Sequence, residues 1–243
     1  MIAMGEVAVI GGGCYGGFYL DQLAKARAAG AATWRRVRVV DRDPECAAAS
    51  QVADVPDASL DVAEWGAFLD GWLDRDARRD DDRLVPSPLM PHLMAEWLLR
   101  RAQERWSARA VAMVPATEPA GTPFDLLHPA DGVRYLSHAD WTCPVHCIEP
   151  MTCPAIRGPR TWEMGDTVTA WTATHAEEYP TAGPALFTCR HATRGVGMYG
   201  VTSAFAALDA LATTVERHGH ADLVVGSVSA CHGAVAVLRV PPA

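Results

Sequence analysis

The chain of 243 residues carries a formal net charge of −8, is 49% hydrophobic and has a near-neutral mean hydropathy. That composition supports a buried core and excludes intrinsic disorder, and the acidic surplus argues against nucleic acid or an anionic membrane as partner, since both select a basic face. No run of about 20 apolar residues predicts a membrane span. The N-terminus enters a strand without a basic, cleavable leader, so a cytoplasmic location is expected.

The first predicted element is a buried strand over Glu6–Ile10, because Val and Ile suit a pleated environment apolar on both faces. It breaks into Gly11-Gly12-Gly13-Cys14-Tyr15-Gly16-Gly17, and Gly11, Gly13 and Gly16 fill the spacing G-x-G-x-x-G where strand must become helix. The first glycine allows a tight turn, the second lets a pyrophosphate approach the backbone, and the third lets helix pack on strand. The helix N-terminus then offers unpaired N–H groups to the phosphates. Cys14 and Tyr15, inside the motif, join the three glycines as candidate cofactor-binding residues. Phe18, Leu20, Leu23, Ala24 and Ala28 continue at helical spacing to a stop at Gly30.

A second strand, Val37–Val40, ends in Asp41, the expected partner of a ribose 2′-OH. The neighbouring Arg42 keeps a 2′-phosphate in play, but Asp41 would repel it, so NAD is favoured over NADP. The alternatives are a glycine turn serving packing alone, or a nucleoside site of the methyltransferase type. Residues 6–46, with Val9-Ile10-Gly11-Gly12-Gly13 and Val39-Val40-Asp41-Arg42-Asp43-Pro44, resemble the NAD-binding domain (RCK or TrkA type) of bacterial potassium-uptake regulators. The resemblance implies a Rossmann-like half-sheet and an adenine dinucleotide, with Gly11, Gly13, Gly16 and Asp41 at the matching positions. It covers about the first fifth of the chain, so the channel-gating role of that family is not carried over.

Gln51–Val55 is expected as a short third strand, and Leu60–Leu73 as a helix with Val62, Trp65, Phe68, Leu69 and Trp72 on one side. Asp74–Arg83, dense in both charge signs, reads as a solvated turn. Leu84-Val85-Pro86-Ser87-Pro88 ends a strand, since its prolines forbid helix or central-strand continuation. Pro91–Trp106 resumes a helical pattern through Leu93, Met94, Trp97 and Leu98. In a doubly wound sheet the turn after Val85 sits at the carboxyl edge where ligands bind, which makes Ser87 and His92 candidate lining residues. Ala110–Val114 is expected as one further strand. The fold class is therefore α/β, with a Rossmann-like doubly wound parallel sheet over residues 1–115.

Residues 116–243 form the expected second, Cys- and Pro-rich region, which either extends that sheet or caps it. Pro115–Pro129 has linker composition. Beyond Val133–Leu136 comes the densest chemical segment, Cys143-Pro144-Val145-His146-Cys147-Ile148-Glu149-Pro150-Met151-Thr152-Cys153-Pro154, whose prolines require an ordered loop. Such a loop needs something to hold it, and three thiols could do so by binding a metal. A fourth ligand is available in Cys231, at the end of the apolar run Leu223–Val228, with His146 or His232 as substitutes. If that run is a strand parallel to the first, Cys231 emerges at the edge of the glycine turn. Cys143, Cys147, Cys153 and Cys231 are thus the candidate ligands of an iron–sulfur cluster or zinc, against the plainer reading of seven reduced thiols without metal. The Cys-rich loop, Arg157-Gly158-Pro159-Arg160 and Cys231-His232-Gly233 also resemble an uncharacterised group of bacterial Rossmann-type proteins, which implies no activity.

Arg157 and Arg160 bracket a Gly-Pro turn and could clamp a carboxylate or phosphate, although solvated arginines are the simpler reading. Ala185–Cys189 is a plausible strand. Gly195–Gly200 is formally a second G-x-G-x-x-G, read as a flexible or anion-contacting turn before a helix at Thr202–Arg217. His191 and Tyr199 are the acid–base candidates, and His218 and His220 read as solvated. No nucleophile elbow, Walker lysine or zincin motif occurs. The expected function is a small NAD(P)-dependent oxidoreductase whose cysteine-ligated metal adjoins the nicotinamide. The alternatives are a regulatory module responding to NAD, redox state or metal without turnover, and a Rossmann protein whose cysteines are structural. Modules of this kind often pair, so a homodimer is the candidate assembly.

Overall fold

The computed structural model describes residues 1–73, 80–87, 92–144 and 147–243, and shows a mixed α/β protein. The chain divides into two compact units, one of Met1–Leu93 with Cys189–Thr202 and one of Met94–Thr188 with Ser203–Ala243. The division expected at residue 115 is not the one drawn by packing. The segment 189–202 leaves its sequence neighbours and joins the N-terminal unit.

In the first unit, β1 (Ile2–Ile10), β2 (Ala32–Asp41), β3 (Ala58–Val62) and β4 (Arg83–Val85) are parallel, in the spatial order β3-β2-β1-β4. Side chains alternate across a strand, so Val7, Val9, Val37 and Val39 share one face, where they pack with Leu20, Leu23 and Ala26 of α1 (Cys14–Ala28). The other face takes α3 (Trp65–Leu73): the Trp72 indole N–H donates to Glu6 Oε2 at 3.0 Å, and the Arg38 guanidinium lies 4.7 Å over the Phe68 ring.

Several expected elements shift. Gln51–Val55 is not a strand. Ala49–Val52 forms a single helical turn, α2, against α1, and the place beside β2 is taken by Ala58–Val62, with Val39 opposite Leu60. Leu60–Val62 therefore belong to β3, the helix starts only at Trp65, and Val62 is exposed rather than on the helix's apolar side. Of the charged stretch Asp74–Arg83, residues 74–79 lie outside the described residues, as do Pro88 and Pro91. The second glycine motif is not a turn before a helix. It forms β12 (Val196–Gly200), which folds back on β11 (Arg190–Thr193) through Arg194 and Gly195, both at positive φ, and pairs antiparallel with β4. Val196 and Met198 are buried in the same core as Val7 and Val9, which outweighs the turn propensity of the glycines.

The second unit holds a sheet in the order β10-β13-β14-β7-β6, from β6 (Phe124–Leu127), β7 (Arg134–Ser137), β10 (Thr181–Thr188), β13 (Ala221–Val228) and β14 (His232–Val240). Only β10 and β13 are parallel in it. The strand expected at Ala110–Val114 exists as β5 (Ala112–Val114), but it pairs with β14 and so belongs to this second sheet. The run Leu223–Val228 is likewise a strand of the second sheet, not a parallel neighbour of the first. The expected linker Pro115–Pro129 contains β6. Buried Arg134 fixes that segment by donating to the Ala116 and Thr117 carbonyls at 2.8 and 2.6 Å and pairing with Asp125. The helix α5 (Met164–His175) covers one face, packing Met164, Val168 and Trp171 on Val224, Val228, Val235 and Val237. Trp97 of α4 (Leu93–Arg105) meets Phe205 of α6 (Thr202–His218) edge-on at 5.9 Å. A short ribbon of β8 (Thr152–Cys153) and β9 (Gly158–Pro159) carries the end of the cysteine loop. Among the described residues no helix is long and apolar enough to cross a membrane.

Candidate functional sites

The glycine turn lies between β1 and α1, as its motif requires. Gly11 adopts φ +88°, a conformation that L side chains resist. Gly12 N–H donates to Asp41 Oδ2 at 2.6 Å, and a Cβ there would stand 2.3 Å from the Cys46 sulfur. A Cβ on Gly16 would stand 1.9 Å from the Gly11 carbonyl oxygen, so helix and turn touch at that point. Gly13 differs from all three. Its φ of −66° suits any residue, and a Cβ there would meet no atom within 4 Å. Neither conformation nor packing demands glycine at this position, and the space in front of it is open.

The start of α1 has no side-chain cap, and its first helical hydrogen bond runs from Gly17 N–H to Gly13 O at 2.9 Å. The N–H groups of the first turn are therefore available to an anion. Cys14 and Tyr15 are both exposed there, and the Tyr15 and Tyr19 rings lie 6.4 Å apart. Ser87, buried, borders the same turn: its hydroxyl would stand 3.6 Å from a Cβ on Gly11. Asp41 Oδ1 accepts Asp43 N–H at 2.9 Å, so each carboxylate oxygen takes one backbone donor and keeps capacity for another. Arg42 is exposed. The turn thus assembles Gly11, Gly13, Gly16, Asp41 and Ser87. It adds Trp65, 3.3 Å from a Cβ on Gly11, and Cys46, neither of which the sequence reading placed there. Trp65 stands at the start of the helix after β3, a placement that only the structure shows. His92 is half-buried and follows residues 88–91, which lie outside the described residues.

The acid–base candidates fare differently. Burial, and then the neighbouring Cys189, push the Tyr199 phenol far above its ordinary value, so it stays protonated throughout the neutral range. His191 is exposed on the hairpin, where its Nδ1 donates to the Gly195 carbonyl at 2.8 Å. Both residues shape the β11–β12 hairpin. Arg157 is exposed while Arg160 is buried, its Nη1 donating to Trp162 O and to Glu163 Oε1, each at 2.6 Å. The solvated state expected of both therefore holds for Arg157 and not for Arg160, and the alternative of a clamp made by the two guanidinium groups is not formed. His218 is exposed as expected, but His220 is half-buried with its ring 4.8 Å from that of Tyr179.

The thiols of the second unit act on one another electrostatically. Cys143 lies within electrostatic reach of Cys147 and Cys153, and Cys231 within reach of Cys143. Burial first, then these neighbours, raise the Cys143 thiol. Burial raises Cys231, opposed by the Trp162 indole N–H that donates to its sulfur at 3.3 Å. The Cys147 sulfur accepts Glu149 N–H at 3.4 Å. Glu149, at φ +52°, closes the loop onto the β13–β14 turn by accepting Ser229 Oγ at 2.6 Å and Ala230 N–H at 2.7 Å. That contact carries Cys231 to the loop within one unit. It does not carry it along the first sheet, since β13 is not part of that sheet. All seven cysteines are free thiols. Among the described residues no three His, Cys, Asp or Glu side chains are drawn into a metal cage. His146 lies outside the described residues, and His232 Nε2 stands 4.0 Å from Glu149.

A family model described as "Uncharacterized protein, C-terminal domain" matches residues 94–241, more than half of the chain. The chain belongs to that family. The family match begins where the second unit begins and takes in the cysteine loop, Cys231 and the β11–β12 hairpin. It leaves out residues 6–46, on which the likeness to potassium-uptake regulators rests. No curated protein and no solved structure matches the chain.

Proposed function

We propose that the protein binds an adenine dinucleotide, NAD in preference to NADP, at the Gly11–Gly16 turn. We propose further that it holds a zinc ion or iron–sulfur cluster on Cys143, Cys147, Cys153 and Cys231, and that it acts as a small oxidoreductase. The observation that carries the nucleotide reading is Gly13: a glycine that the chain's own packing does not need stands before open space at an uncapped helix N-terminus. The order β3-β2-β1-β4, with helices on both faces, supports a Rossmann-like half-sheet at whose carboxyl edge this turn lies. In this reading the N–H groups of Cys14, Tyr15 and Gly16 hold the pyrophosphate, Asp41 takes the ribose hydroxyls, and Ser87 lines the approach. Asp41 would repel a 2′-phosphate, which favours NAD. Bound nicotinamide would supply hydride chemistry.

The thiol set suits a thiophilic metal by donor type: four sulfurs, with the Glu149 and Trp162 N–H groups aimed at two of them. Such donors reduce the negative charge that thiolates bring to a partly buried site. A second reading, a regulatory module responding to NAD or metal without turnover, is favoured by the condition of Tyr199, which is half-buried on β12 with its phenol held far above its ordinary value.

The test uses anaerobically purified protein, assayed for iron, sulfide and zinc and titrated with NADH by calorimetry and visible absorbance. Saturable NADH binding that Gly13→Val lowers at least tenfold, without loss of thermal stability, is the expected result. Unchanged affinity in Gly13→Val overturns the nucleotide site. Protein that contains no metal after anaerobic preparation and does not take up zinc overturns the metal site. A metal whose spectrum is indifferent to NADH, together with no NADH oxidation, selects the regulatory reading.

A further inference from the structure

The sheet of the second unit has two ends, β10 and β6, and they are unlike. β10 contains Pro184, which has no N–H to offer, and its register shifts between Ala182 and Ala185. Both features discourage a further strand. β6 has neither. Its register on β7 runs without a shift from Phe124 opposite Ser137 to Leu127 opposite Arg134. Just beyond it, His128 N–H donates inward to the Val133 carbonyl at 2.8 Å. Inward and outward bonding alternate along an antiparallel strand, so Leu126 and Phe124 also bond inward. The N–H and C=O groups of Asp125 and Leu127 therefore point out of the sheet, and among the described residues no strand lies against them.

The side chains of β6 divide between the two faces of the sheet. Asp125 shares its face with Leu136 and Arg134, and Arg134 pairs with it. Phe124 and Leu126 stand on the opposite face beside Tyr135, 47% and 49% exposed. His128 joins them there, its ring edge-on to that of Tyr135 at 6.2 Å. Such a strand matches its own image. Laid antiparallel on a second copy about a two-fold axis at Leu126, Asp125 exchanges both backbone hydrogen bonds with Leu127 of the second copy, and Leu127 with its Asp125. Leu126 then faces Leu126 in a non-hydrogen-bonded pair, where side chains come closest, and Phe124 faces His128. Charge and backbone chemistry select this axis. An axis at Asp125 would set two carboxylates together, and one at Leu127 would oppose Asp125 to Pro129, which cannot donate. At Leu126 the Asp125 carboxylate, already paired with Arg134, meets only leucine. Pro123 and Pro129 lie equally far on either side of Leu126 and end the ladder, so the pairing closes as a dimer.

We propose that β6 is the interface of a homodimer in which two copies join edge to edge about a two-fold axis at Leu126 and share one continuous sheet. The interface is independent of the nucleotide and metal readings, since it uses none of their residues. The experiment is sedimentation equilibrium of the full chain, of monomer mass 26.1 kDa, from about 1 to about 300 μM. A reversible monomer–dimer equilibrium is expected. Leu126→Lys and Leu126→Asp each set two like charges against one another across the axis, and each is expected to weaken association at least tenfold with an unchanged circular dichroism spectrum. An equal mixture of the two variants is expected to restore the dimer, because Lys then faces Asp. Only a residue that meets itself across a two-fold axis gives that result. A protein that stays monomeric throughout overturns the proposal and leaves the edge to a partner of another kind. A dimer that neither variant weakens, or that the mixture does not restore, overturns it too, since the interface then lies elsewhere.

Discussion

At the scale of single residues, the glycine motif contains glycines of two kinds, and the space around each tells them apart. Gly16 is held by the Gly11 carbonyl, and Gly13 by nothing in the chain. Gly16→Ala should destabilise the fold by about 2–3 kcal/mol, the cost of overpacking against backbone that has little room to relax. Gly13→Ala should leave thermal stability almost unchanged and show its effect only in nucleotide titrations. Chemical denaturation of the two variants side by side checks both outcomes. A further residue-scale prediction concerns acid. The Thr117 hydroxyl, helped by His175 and opposed by burial, holds the Glu118 carboxyl below its ordinary value. A carboxylate with a depressed folded pKa contributes stability that is full above the ordinary glutamate value, about 4.3, and is lost as the pH falls through the lower folded one. Glu118→Gln should therefore flatten the loss of stability below about pH 4.3, as read from denaturant midpoints between pH 3 and 6.

At the scale of elements, the segment around β6 shows how a side chain overrides composition. Pro, Thr and Gly between 115 and 129 read as linker, yet Arg134 reaches back from β7 to the Ala116 and Thr117 carbonyls and to Asp125. Asp125 in turn accepts Ala120 N–H at 2.6 Å and Gly121 N–H at 3.0 Å. The side chains of Arg134 and Asp125 are 7% and 11% exposed, so removing one partner strands a charge away from water. Arg134→Leu should cost about 3–5 kcal/mol, and the double variant Arg134→Leu/Asp125→Leu should recover part of it. Urea unfolding of the three proteins tests this. The same override made a strand of Val196–Gly200: its turn-forming glycines gave way to the burial of Val196 and Met198.

At the scale of the whole molecule, the two units have separate sheets, and the segment 189–202 interrupts the second to complete the first. Hydrogen exchange should report this division. Saturating NADH should slow exchange in peptides from 1–93 and in the β11–β12 peptide, which adjoin one another only in the fold. Loading the protein with the proposed metal should slow exchange around residues 143–163 and 229–233, and a chelator should reverse it. Slowing in 1–93 without any change in 189–202 would contradict the division. The binding contribution should be about 2.7 kcal/mol at a hundredfold excess over the dissociation constant.

The sequence by itself determined the first strand, the glycine turn, α1, β2 with its terminal Asp41, and the limits of α6. In each, periodicity, a stop residue and a turn requirement act locally and agree. It also identified the cysteine loop as irregular, because proline lacks the N–H that regular structure requires. Only the tertiary structure decided which sheet each later strand joins. Strand pairing depends on which buried face is left to cover, and Ala112–Val114 and Leu223–Val228 carry no local mark of the partner they find. Tertiary packing alone brought Cys231 to the loop, through Glu149, and set His175 between Asp222 and Glu118 at positions 47 and 57 residues away, with Nε2 2.9 Å from the first and Nδ1 3.6 Å from the second. The imidazole and its two carboxylates come from separate segments without a shared motif, so their pairing exists only once the chain has folded.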